Sequence, residues 1–202
     1  MRDAGEVNNL ELAHNRIFSV VLGFYATNEV RYLDLSYNEI VGQVSGITAL
    51  KDSLERLELH HNAMIIIPDV LRQLHKLKTL SLAHNRLLNF AEVYSNLPPS
   101  VRHLSLEFNM FIVSLTAPGR KPTGHLEPYD LESLSLGPVR IFKLKSYLPA
   151  VQSQKYKLTE LKIYKSKFSI LDSFHALKVL ESLEHLQCIN CTLDQELQDD
   201  IS

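Results

Sequence analysis

The chain has 202 residues, of which 45% are hydrophobic and 22% charged, with a formal net charge of −2. That length and apolar content suit one folded domain, and the near-balance of charge makes no global case for nucleic acid or a membrane surface. No stretch approaches the ~18 apolar residues of a membrane span, since the run from Met64 to Ile67 is stopped by Pro68 and Asp69.

The opening, Met1-Arg2-Asp3-Ala4-Gly5-Glu6, lacks the apolar core of a secretory leader. A phrase begins directly after it: an aliphatic residue, two variable residues, Leu, one variable residue, Leu, two more, then Asn. It reads Val7-Asn8-Asn9-Leu10-Glu11-Leu12-Ala13-His14-Asn15, and Val30 to Asn38 repeats it. Further copies start at Leu54, Leu77 and Val101, and degenerate ones at Leu131, Leu158 and Leu183. The paired leucines Leu10/Leu12, Leu33/Leu35, Leu57/Leu59, Leu80/Leu82 and Leu104/Leu106 stand two apart, which puts both side chains on one face of a short strand. Starts 23, 24, 23 and 24 residues apart leave room for a return segment that brings each strand back to the same side.

Between strands, Val70, Leu71, Leu74 and Leu77 predict a short helix over Pro68 to Leu77, whereas Leu97-Pro98-Pro99-Ser100 predicts an extended segment or a single turn. Asn15, Asn38, Asn62, Asn85 and Asn109 fall where the chain bends out of each strand. Their amides are placed to satisfy backbone groups turned inward and to bridge adjacent repeats.

After Val101 the spacing lengthens to 30, then 27 and 25, around the surface loop Ala117-Pro118-Gly119-Arg120-Lys121-Pro122-Thr123-Gly124. Val139, Ser166 and Cys191 replace the Asn column, which predicts a local break in twist or curvature near Gly137-Pro138-Val139. Phe174, Leu177 and Leu180 lie on one stripe and predict a second short helix within Leu171 to Leu183. The expected organisation is one domain over 1–202: regular repeats 7–111, a loop insertion 112–130, irregular repeats 131–193 and an acidic cap 194–202. The first repeat has almost nothing before it to cover its edge, so the chain is expected to be a piece of a longer protein.

The five near-complete phrases and three degenerate ones resemble the leucine-rich repeat superfamily over nearly the whole chain. The resemblance implies an α/β solenoid: a curved parallel sheet on the concave side, with short helices, 3-10 turns and loops on the convex side. It implies a recognition module rather than an enzyme. Superfamily members include cytosolic adaptors, cytoskeletal and phosphatase scaffolds, and cell-surface receptors.

If the leucines point inward, the intervening residues form exposed columns about 5 Å apart. One column is Glu11, Asp34, Glu58, Ser81, Ser105, Ser135, Lys162 and Gln187, running from acidic to basic. A second contains His14, Tyr37, His61, His84 and Phe108, with Tyr32, His60 and His103 nearby. Such rings supply large contact area at low entropic cost. From Arg140 to Lys167, eight basic residues face Glu160 alone, a segment of +7 that leaves −9 for the rest. The expected partner-binding residues are Tyr32, Asp34, Tyr37, Glu58, His60, His61, His84, His103 and Phe108, joined at the basic end by Lys162, Tyr164 and Lys165.

Other chemistry finds little support. Cys188 and Cys191 fall in the second leucine column and the Asn column, so both read as core or turn residues, and the neighbouring His185 does not complete a metal set. His61 and His84 are spaced to meet across adjacent strands, as an exposed polar pair. Asn190-Cys191-Thr192 matches a glycosylation acceptor only formally. No phosphate loop or nucleophilic triad occurs, and no catalytic residue, cofactor or metal is expected. The scarcity of cysteine favours a reducing, cytoplasmic compartment. The reading is a non-enzymatic adaptor or scaffold module that binds a protein or peptide, with an acidic or phosphorylated segment at the basic end, and neither nucleic acid nor a membrane interior. The alternative is a ligand-binding fragment of a cell-surface receptor.

Overall fold

The computed structural model describes residues 7–21, 29–111, 130–139, 157–168, 177–178 and 180–193. Among these residues ten strands are present: β1 (Asn9–Glu11), β2 (Tyr32–Asp34), β3 (Arg56–Glu58), β4 (Thr79–Ser81), β5 (His103–Ser105), β6 (Ser133–Leu136), β7 (Glu160–Tyr164), β8 (Lys167–Phe168), β9 (His185–Ile189) and β10 (Thr192–Leu193). Eight form one sheet in the order β1-β2-β3-β4-β5-β6-β7-β9, and β8 pairs with β10 in a small second sheet. Every pairing is parallel.

The register is the one the phrase dictates. Leu10, Leu33, Leu57, Leu80, Leu104, Leu134, Leu161 and Leu186 are direct partners across the sheet. From Leu33 to Leu161 this row is buried, as is the second row of Leu35, Leu59, Leu82, Leu106, Leu136 and Ile163. Each fully covered leucine contributes about 2 kcal/mol of transfer free energy. A one-residue slip would turn every one of them to solvent, so the register is strongly specified.

The Asn column works as inter-repeat bridges. Asn85 Nδ2 donates to Leu59 O at 2.9 Å and to Leu82 O at 3.1 Å, while its Oδ1 accepts from Met64 N at 3.0 Å. Asn38, Asn62 and Asn109 repeat this triple contact. Asn15, at the first repeat, bonds only the carbonyls of Leu12 and Ala13 in its own turn. Where Asn is absent, Ser166 Oγ accepts from Val139 N at 2.9 Å and donates to Tyr164 O, and Cys191 Sγ reaches Ile163 O at 3.4 Å.

The return segments differ from the sequence expectation. The helix expected over Pro68 to Leu77 is a 3-10 helix, Asp69–Gln73, and another spans Ser45–Leu50. A repeat of 23 or 24 residues has room for at most about two helical turns in its return, so a short 3-10 turn serves as well as an α-helix. An α-helix, α1 (Phe90–Asn96), lies where none was expected. Asn89 caps it by accepting from Ala91 N at 2.8 Å, and Phe90, Val93 and Tyr94 face the core. The Pro98-Pro99 pair that suggested an extended segment follows the helix, with Leu97 already extended. The insertion 112–130 except Asp130, the cap 194–202 and most of the stripe in Leu171 to Leu183 fall outside the described residues.

At Gly137-Pro138 the peptide is cis and Gly137 has φ +139°. A proline cannot take positive φ, so the glycine before it carries the turn out of the strand. Register is uninterrupted there, with Leu136 opposite Ile163.

Candidate functional surface

Among the described residues, seven other than glycine have positive φ: His14, Tyr37, His61, His84, Phe108, Lys165 and Asn190, all between 45° and 56°. All stand two places after the second core residue of their repeat, where the chain leaves the sheet. This left-handed turn swings each side chain toward the next repeat's equivalent. The result is a continuous stack. Ring centroids are 4.3 Å apart for His14 and Tyr37, 4.2 Å for Tyr37 and His61, 4.0 Å for His61 and His84, and 4.4 Å for His84 and Phe108. His60 meets the edges of Tyr37 and His61.

Pro138 takes the ladder position in the sixth repeat, and Gly137 beside it has no side chain. Phe108 therefore reaches across to Tyr164, 5.5 Å between centroids, and Lys165 Nζ sits 5.4 Å from the Phe108 centroid. The ladder thus meets the basic repeats at Tyr164 and Lys165. Desolvation, then the charges of neighbouring histidines, lowers the His61 imidazole below its ordinary value. Desolvation, then His60 and Lys165, does the same for His84. Both shifts favour the neutral form of His61 and His84 in the middle of the stack.

The acidic column is in register, with Glu11 opposite Asp34 and Asp34 opposite Glu58. Each of the inner two carboxylates has an offset. Burial pushes the Asp34 carboxyl up, but hydrogen bonds from Ser36 and Tyr32 outweigh it and hold it below the usual carboxylate range. Glu58 corrects the expectation of an exposed column: it is 7% exposed and pairs with Arg56 Nε at 2.7 Å. Arg56 also lies 5.5 Å from the Tyr32 ring, closing a cluster of Tyr32, Asp34, Arg56 and Glu58. His103 is exposed on β5 between Thr79 and Ser133, outside the ladder.

At the basic end Lys162 pairs with Glu160 at 3.0 Å and Lys157 with Asp130 at 2.8 Å. Glu107, which the sequence reading passed over, lies in the same row as His60 and Tyr164. Burial pushes its carboxyl up, and its Oε2 has no hydrogen-bond partner. The available signal was a charged residue where other repeats have Ala13, Ser36 and Ala83.

Cys188 corrects another expectation. It aligns with buried Ile163 as its register required, yet it is exposed, β9 being the edge strand of the sheet among the described residues. Partial desolvation and the neighbouring Cys191 raise its thiol, which disfavours a reactive thiolate. Among the described residues no three His, Cys, Asp or Glu side chains are placed to hold a metal. A cleft of ≈ 180 Å³ at the opposite edge, lined by Arg31, Asp52, Glu55 and Lys76, is below the size of ordinary small-ligand pockets.

No protein-family model matches the sequence, and no curated protein matches it either. Solved structures do. The leucine-rich repeat domain of APL1B superposes with a TM-score of 0.58 at 18% identity, over 92% of this chain and 48% of that one. The chain has a leucine-rich repeat fold. An internalin from Listeria monocytogenes is similar at 16% identity and a TM-score of 0.49, over 93% of this chain and 62% of that one. This leucine-rich repeat chain thus spans about half the length of the first structure and less than two thirds of the second. Among the described residues no helix is long and apolar enough to cross a membrane.

Proposed function

We propose that the chain is a non-enzymatic protein-interaction module of a cytosolic adaptor or scaffold, holding an extended protein segment against its ring ladder. The observation that carries this is the unbroken stack from His14 to Phe108, with His14, Tyr37 and His84 exposed. Rings already locked by stacking lose little conformational entropy on binding, and Tyr is enriched at protein interfaces. Beyond Phe108 the surface turns basic through Lys165 and the exposed Lys167, which suits an acidic or phosphorylated part of the same segment. Two free thiols, one exposed, suit a reducing compartment.

The test is affinity purification with the wild-type chain, a Tyr37→Asn/His61→Asn variant, and a variant with Lys162, Lys165 and Lys167 changed to Glu. Asn is used at the ladder because it tolerates the left-handed backbone that Ala does not. Partners lost from both variants support the proposal. Partners that survive the ladder variant move the interface to another surface.

A further inference from the structure

Beyond the Asn column the chain leaves each of four repeats through an equivalent segment. Ile17, Ile40, Met64 and Leu87 donate their N–H groups to the next repeat's Asn. Their carbonyls accept from Glu39, Ala63, Arg86 and Met110. These bonds put the exits in the same register as the strands. Ile40, Met64 and Leu87 are buried and Ile17 packs against the core, so the residues that follow turn outward. Those residues are Phe18, Val41, Ile65 and Leu88, exposed by 61, 51, 50 and 39%. Ile66 and Met110, also exposed, widen the row. Single exposed apolar residues are ordinary, but a row of large ones repeating with the solenoid is an interaction surface.

The charges beside the row indicate what covers it. Directly after each Asn stand Arg16, Glu39, Ala63, Arg86 and Met110 in turn. A two-fold axis through the third repeat, with two copies antiparallel, sets Glu39 against Arg86 of the second copy, and by symmetry sets Arg86 against Glu39. The same axis lays Val41 against Leu88 and brings Ile65 onto itself. Moving the axis half a repeat one way sets Arg16 against Arg86; moving it the other way sets Glu39 against Met110. Among the described residues the ion pairs leave both Glu39 and Arg86 available, and both are exposed. We infer that this stripe is the face of an antiparallel homodimer whose axis passes by Ile65. The pairing is independent of the ring ladder, which stays open to another protein.

Sedimentation equilibrium of the purified chain tests the pairing, with thermal unfolding as the check that each variant is folded. Wild-type protein should dimerise in the micromolar range. Ile65→Asp, which puts two carboxylates on the axis, should weaken the dimer at least about a hundredfold. Glu39→Lys and Arg86→Glu alone should each weaken it about tenfold, because each reversal makes two like-charged contacts. The double variant Glu39→Lys/Arg86→Glu should restore wild-type association, and Tyr37→Asn/His61→Asn should leave it unchanged. A wild-type chain that stays monomeric to about 100 µM overturns the inference. So does a dimer indifferent to Ile65→Asp, or single reversals that the double reversal does not rescue.

Discussion

At the ladder position the backbone requires positive φ, and the chain places rings there where glycine or asparagine would be less strained. Stacking offsets that cost. Replacing His84 with Asn should therefore be nearly neutral, whereas His84→Val, β-branched in the same conformation, should lose about 1 to 3 kcal/mol by urea unfolding. The Asn column gives a second residue-scale comparison. Asn85→Ala orphans Met64 N and strips bonds from two leucine carbonyls, so it should lose about 2 to 3 kcal/mol; Asn15→Ala, which bridges nothing, should lose less than about 1. Acidity provides a third. His61 and His84 have depressed pKa values, so the unfolded chain binds more protons than the folded one as pH falls below ~6.5. Their stabilisation is complete above that pH and lost through the folded values. The melting temperature should fall on acidification from pH 7 toward 5, and less steeply in His61→Asn/His84→Asn. Glu107, whose carboxyl is raised, works in the opposite direction, binding its proton more readily in the folded chain than in the unfolded one. An equal slope in both proteins would assign the effect to other groups. The ladder residues were legible as a column, but not their left-handed turn, because His, Tyr and Phe carry no local signal for it; Asn190 at the equivalent place was the one hint.

Elements were legible in proportion to how strictly their pattern repeats. The strand leucines obey a two-residue period, and every strand of the main sheet contains the leucine expected of it. Return segments obey no such rule, because a short convex turn needs only enough apolar residues to cover the core. Val70, Leu71, Leu74 and Leu77 satisfy a 3-10 turn as well as a helix, and α1 is specified by the Asn89 cap and Phe90, Val93 and Tyr94. Gly137 is where element geometry is most demanding. A Cβ there would fall on the backbone carbonyl of Tyr164 in the neighbouring strand, at a φ that disfavours any side chain. Gly137→Ala should lose more than about 3 kcal/mol in denaturant unfolding and separate β6 from β7. A loss below 1 kcal/mol would mean that β7 yields without cost.

Across the whole molecule each repeat is held by its neighbours, so stability should be greatest in the middle of the stack. The amides of Leu59 and Leu82, whose side chains are buried between flanking strands, should outlast that of Leu12 in hydrogen exchange, although all three bond the next repeat. Equal protection would mean that the first repeat is covered as well as the others. Sequence alone determined the solenoid: the Leu period, the spacing of its copies and the Asn column each constrain the backbone locally, and no distant contact is needed to read them. It also determined which residues share a column, because register follows from the repeat. Tertiary structure decided which columns are open. Glu58 is covered by Arg56, Cys188 is bare on the edge strand of the described sheet, Phe108 touches Tyr164 only because Gly137 intervenes without a side chain, and Phe18 to Leu88 form one row only when repeats stack. Exposure depends on what the neighbouring repeats place beside a residue, a property of the assembled stack that no single repeat contains.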